Sequence, residues 1–193
     1  MIDGVFLAND IAAGPSILGL RLYPFSIWHS WALKAMESPF VCGGDFDIES
    51  FCDSILICTL RKEDHDAIIR SSHLAVYKGG QIAPAILSAS QEEREEAVIQ
   101  FIEYIQDCTE FPDFWEGSDL DPIKDRIRCP TEWHLVAALL RMRICQTESE
   151  AWNYPAARAH CWLAVEGERK GSKSYVDPRD RADIKKAEGL KDG

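Results

Sequence analysis

Chemistry in a chain of this size falls first to histidine, cysteine and the carboxylates, and here there are five histidines, seven cysteines and 32 Asp and Glu residues. His65–Asp66, with His73 eight residues on, combines side chains of the kind that hold zinc or iron. That spacing does not place all three on one helical face, so the group reads as a polar surface turn. His160–Cys161, and Cys129 with His134, each set a thiol near a base. A cysteine nucleophile needs its base held within hydrogen-bond reach, and neither pair has a supporting motif. The cysteines at 42, 52, 58, 108, 129, 145 and 161 are odd in number and include no C-x-x-C spacing. In a reducing compartment they serve as small buried hydrophobes, without metal or disulfide. The phosphate-cradling P-loop, the dinucleotide-binding glycine run, the nucleophile elbow and the paired-histidine zinc motif are all absent. The expectation is a protein with no cofactor and no enzymatic activity.

Charge narrows the choice of partners. The net charge is −11, and the segment from Gln91 to Asp121 holds eleven acidic residues against the single Arg94. Such a stripe repels phosphate backbones, which argues against nucleic acid and favours a basic or amphipathic protein partner. Its simplest service is to keep the surface solvated. Hydrophobic residues at 46% and charged residues at 27% suit a globular protein. No apolar run approaches the roughly 20 residues that span a bilayer. The opening MIDGVFLAND is acidic where a secretory signal is basic, so a cytoplasmic location is expected, with no membrane contact.

The elements that would position these residues are helical. Pro130 to Gly171 reads as two helices joined by a short polar turn, holding Trp133, Trp152 and Trp162, with Thr147 and Glu150 as a capping box and Pro155 restarting or kinking the second helix. Trp133, Val136, Ala137, Leu140 and Ile144 recur at helical steps, broadened by Leu135, Leu139 and Met142, so this pair is expected to form the centre of the fold. Trp133, Trp152, Pro155 and Trp162 are its core motif. Upstream, Leu18, Leu20 and Leu22 alternate as a short strand or extended arm. Ser26 caps a helix ending at Ser38–Pro39, and Asp45 or Asp47 caps the next, through Phe51 and Leu56. A further helix covers Asp64 to Tyr77, and Pro84 makes 82–87 a loop or broken turn. Ser90 and Glu93 form a capping box for a four-turn stripe of Ala97, Val98, Phe101, Ile102, Ile105 and Cys108. Thr109 to Cys129 is loop-like. Its aromatics Phe111, Phe114 and Trp115, beside Glu92, Glu93, Glu95 and Glu96, are the candidate partner-binding residues.

After Gly171 lysines and arginines alternate with acids and too few apolar residues remain to build a core. The expected organisation is one all-α domain over 1–171, a compact bundle of five to seven helices with an irregular N-terminal arm, and a charged mobile tail over 172–193.

Pro130-x-Glu132–Trp133, then Glu150–Ala151–Trp152-x-x-Pro155, Ala159 and Glu166–Gly167, together with Pro24–Phe25–Ser26, Ser38–Pro39–Phe40 and Gly43–Gly44, resemble the pattern of small helical tail assembly chaperones of tailed bacteriophages. About a quarter of the chain carries the resemblance. It implies a non-enzymatic protein of the host cytoplasm that binds the long helical tape measure protein, keeps it soluble and is displaced as tail tube subunits polymerise. It also leaves contact with the tail tube protein and a homo-oligomer open. Two other classes stand beside it: a structural helical adaptor or completion subunit of the particle, and a helical enzyme without a familiar motif.

Overall fold

In a computed structural model, residues 14–70, 80, 82–109, 114–116, 130–171 and 173–175 are described. Among them the chain is a helical bundle. Nine helices follow one another: α1 Ile27–Ala35, α2 Pro39–Cys42, α3 Ile48–Cys58, α4 Lys62–Arg70, α5 82–88, α6 Gln91–Thr109, α7 Thr131–Arg141, α8 Glu148–Trp152 and α9 Ala156–Arg169. The excess over the expected five to seven comes from short pieces. α2 has four residues and α8 five, cut from its neighbour α9 at Pro155. The stretch around Pro84 is helical, with Ile82 and Ile86 buried. Ile82 and Ile86, four residues apart on one face, hold the stretch against the core in spite of the proline.

Local hydrogen bonds explain where the helices begin. Asp47 accepts the backbone N–H of Ser50 at 2.8 Å and starts α3. Ser90 and Glu93 exchange reciprocal bonds at the start of α6, and Thr147 and Glu150 do so at α8. Each satisfies donors that a helix end leaves without partners. α1 and α7 end alike, on a left-handed residue that is not glycine: Glu37 at φ 55° and Arg143 at φ 59°. At each end two backbone bonds fold the chain back, from Ser38 to Leu33 and Glu37 to Lys34, and from Ile144 to Leu139 and Arg143 to Leu140.

The small β elements are accessory. β1 Ser16–Ile17 and β2 Leu20–Arg21 pair antiparallel across Leu18 and Gly19, both at positive φ, as a tight hairpin turn demands. The expected alternation at 18, 20 and 22 is therefore a hairpin in which Leu18 is the turn. Gly14 lies against it. A Cβ there would fall 2.0 Å from the carbonyl oxygen of Leu22. β3 Phe114–Glu116 pairs antiparallel with β4 Lys173–Tyr175, joining the loop-like segment to the first residues of the charged C-terminal stretch. Residues 1–13, 71–79, 81, 110–113, 117–129, 172 and 176–193 lie outside the described residues, and with them the first part of the expected arm, the end of the expected helix from Asp64 to Tyr77 and most of the expected tail.

The centre of the bundle is α1 rather than the 130–171 pair. This nine-residue helix contacts α2, α3, α7, α8 and α9 and buries Ile27, Trp28, His29, Ala32 and Leu33. Around it lie Phe25, Ile55, Leu60, Ile86, Phe101 and Leu139, each at most 2% exposed. The face of α7 that turns inward is Glu132, Leu135, Val136, Ala138 and Leu139. Trp133 is 48% exposed and Trp162 41%, so of the three expected core tryptophans only Trp152, at 2%, is buried. Glu132 takes the first inner position of α7, where Lys34 donates to its Oε1 at 2.6 Å and Ser30 at 2.8 Å, and Trp133, the next residue and so about 100° further round the helix, falls toward the surface. Trp133 still meets Trp152 edge to face at 5.0 Å, and Trp152 meets Trp31 at 6.0 Å. Pro155 is half-buried at the α8–α9 joint.

Candidate docking groove

His29 is the residue whose chemistry most needs an account, because it is a buried base in the middle of the fold. It is 1% exposed and beside a cleft of about 470 Å3 lined by Tyr23, Arg61, Cys145, Glu150, Asn153 and Tyr154. The backbone N–H of Ser26 donates to Nδ1 at 2.9 Å, and Nε2 lies 2.8 Å from the carbonyl oxygen of Leu60. A carbonyl can only accept, so the single proton sits on Nε2. Burial pushes its pKa down to about 4, against the partial support of hydrogen bonds to the Leu60 and Pro24 backbone. Both ring nitrogens are occupied. His29 is thus the third residue of the α1 cap, a neutral structural strut with no lone pair left for catalysis.

His65 meets the Trp28 ring at 5.3 Å, tilted by 52°, and Asp66 pairs with Lys62 at 3.0 Å. His73 and Cys129 lie outside the described residues, and His134 is exposed. Cys161 is buried. Burial raises the thiol of Cys58 far above its ordinary value, and burial also raises that of Cys108. Among the described residues no three His, Cys, Asp or Glu side chains gather as a metal would require.

The most site-like surface is apolar. Between the start of α3 and the first half of α6 runs an open groove of about 430 Å3, lined by Phe46, Asp47, Ile48, Phe51, Gln91, Arg94, Glu95, Val98 and Ile99. Helical spacing brings the α6 wall together, since 91, 94, 95, 98 and 99 fall on one face. The opposite wall comes from the Asp47 cap, which fixes Phe46 just before the helix and Ile48 and Phe51 just inside it. Phe46, Ile48 and Ile99 stand 49%, 42% and 52% exposed, more than a bundle of this size needs to leave open. Behind the groove the rings are in contact in a chain: Phe46 meets Phe40 at 5.2 Å, Phe40 meets Phe101 at 5.1 Å, and Phe101 meets Phe51 at 5.8 Å.

Asp47, Glu95 and Arg94 are the charged residues of the lining, and the segments that carry it are acidic. Residues 45–53 and 91–99 hold the carboxylates of Asp45, Asp47, Glu49, Asp53, Glu92, Glu93, Glu95 and Glu96, all exposed, against the guanidinium of Arg94. The Ser50 backbone and side chain hold Asp47 below the usual carboxylate range, and Ser90 does the same for Glu93. Gln91 donates to Glu95 at 2.9 Å, and Gln100 to Glu96 at 2.9 Å.

Of the residues expected to bind a partner, Glu92, Glu93, Glu95 and Glu96 thus lie on the groove's α6 helix, with Glu95 in its wall. Phe111 lies outside the described residues, and Phe114 and Trp115 belong to β3, whose backbone pairs with β4. Of the groove's apolar residues, Phe51 and Val98 read from the sequence as parts of helical core stripes, and Phe46 and Ile99 escaped it. Two signals mark them: Ile99 is apolar outside the α6 core stripe, and Phe46 is an aromatic between two aspartates. The chain matches no protein-family model, no curated protein and no solved structure. No helix among the described residues is long and apolar enough to cross a membrane.

Proposed function

We propose that this chain is a non-enzymatic assembly chaperone of tailed bacteriophages, one that holds the tape measure protein until tail tube subunits polymerise around it. The observation that carries the reading is the open apolar groove, backed by packed aromatic rings, beside an acidic helix. A groove of that kind suits helix-in-groove capture, in which an amphipathic helix lays apolar anchors at i, i+3 or i+4 and i+7 into a cleft. The tape measure protein, long and helical, offers such stripes before assembly. The residues behind the resemblance also occupy joints of the fold. Glu132 ties α7 to α1, Glu150 closes the α8 cap, and Pro155 starts α9.

Co-expression with the tape measure protein of the same phage tests the reading. The expected result is a soluble complex that co-elutes in gel filtration, and a tape measure protein that sediments when expressed alone. If the two do not associate at any salt concentration, and the chain is instead found in purified particles, the structural adaptor takes the place of the chaperone.

A further inference from the structure

We infer that the groove between α3 and α6 selects a cationic amphipathic helix from another protein, one whose apolar anchors are flanked by lysine or arginine. This rests on the binding half of the proposed function and not on its phage setting.

The occupant follows from complementarity at two ranges. At contact range the floor offers Phe46, Ile48, Phe51, Val98 and Ile99, which accept aliphatic or aromatic anchors and have no polar group to match a buried one. In the lining itself Asp47 and Glu95 stand against Arg94, and the two contributing segments carry six further exposed carboxylates and no other cation, Glu49 and Asp53 lining a separate cleft on the other side of α3. A helix with flanking cations gains attraction across this rim, whereas flanking acids bring like charges together. The same charges disfavour other occupants. A second copy of the chain brings its own net charge of −11, and nucleic acids and anionic bilayers are repelled outright. The volume of about 430 Å3 takes a few side chains, not a whole helix, so the partner's backbone lies along the surface and only its anchors enter.

Two designed helical peptides of about 18 residues, long enough to hold a helix, distinguish the possibilities. Both present leucines at i, i+4 and i+7; one flanks them with lysine, the other with glutamate. Titration calorimetry against the full chain is expected to give one-to-one binding of the lysine peptide, roughly tenfold tighter than the glutamate peptide at low salt, with the gap closing as salt rises. The deciding variant is Ile99→Asp, at a position half in solvent where circular dichroism can confirm that the fold is kept. It adds a negative charge. Attraction to the acidic surface alone would make the lysine peptide bind more tightly to it, whereas capture in the groove requires binding about tenfold or more weaker. Equal affinity for the two peptides, no binding of either, or an Ile99→Asp variant that binds the lysine peptide as well as the parent would overturn the inference. Failure here is separable from failure of the chaperone reading. If the tape measure protein stays soluble with Ile99→Asp, the groove is not the site although the chaperone stands. If the lysine peptide binds and the tape measure protein does not, the groove stands alone.

Discussion

At the scale of single residues, His29 sets a pH limit on the fold. In an unfolded chain its imidazole titrates near 6.5, whereas burial lowers it to about 4 in the folded one. Between those values the unfolded state binds the extra proton, so stability is fully present above pH 6.5 and falls as pH drops toward 4. The loss attributable to this residue is about 2 kcal/mol by pH 5. Urea denaturation at pH 7 and pH 5 is expected to show it. His29→Asn, which keeps a polar atom in reach of Ser26, is expected to lower stability at pH 7 and flatten the dependence. A parent whose stability is unchanged between those pH values would remove His29 from this role. Nothing in the sequence separated this histidine from the other four, because its two bonds come from Ser26, three residues away, and Leu60, thirty-one away. The first partner was legible as a cap. The second is a product of tertiary packing.

At the scale of elements, what a helix does with its own ends was legible, and what it does with its neighbours was not. Ser26, Asp47, Ser90 and Thr147 all cap as their sequence positions indicate, since the donors they satisfy lie within three residues. Which face turns inward depended on a partner a hundred residues off. The period of α7 pointed Trp133 at the core, whereas the inward face begins at Glu132, bonded to Lys34, and leaves Trp133 half exposed. In Glu132 burial drives the carboxyl up, but the bonds from Lys34, its own backbone and Ser30 outweigh that and hold it below its ordinary value. Helix ends also offer a way to strengthen the fold. Glu37 and Arg143 sit in the left-handed region at the ends of α1 and α7, where an L side chain costs roughly 1–2 kcal/mol that glycine avoids, less its greater loss of chain freedom. Glu37→Gly and Arg143→Gly are each expected to raise stability by about 0.5–1 kcal/mol in chemical denaturation. A fall in both would mean that these side chains do more than close a turn.

At the scale of the whole molecule, the all-α class was legible from caps and periodicity, whereas the hub and the groove were not. α1 is short and its apolar stripe modest, yet it reaches five other helices because both halves of the chain fold around it. The groove is formed by two helices forty residues apart, and no local pattern states that they face each other. The architecture predicts where the chain can be shortened. A chain ending at Gly171 keeps every helix described here and is expected to retain a cooperative thermal transition. One ending at Asn153 loses α9, with its buried Ala156, Ala157, Ala159 and Cys161, and is expected to show none. Calorimetry of both decides it, and a cooperative transition in the shorter chain would show that α9 is peripheral.

The short bridge between Ser26 and Pro155 carries a timing consequence. Ile27 donates to the carbonyl of Tyr154 at 3.0 Å, and Ala156 donates to that of Phe25 at 3.0 Å, so the entry to the central helix is closed by backbone that is made 129 residues later. At synthesis rates of about 5–20 residues per second, the nascent chain waits roughly 6 to 26 seconds with the start of its hub helix unclosed. During that interval Phe25, Ile27 and Trp28, each at most 1% exposed in the finished fold, lack the cover that the later residues bring.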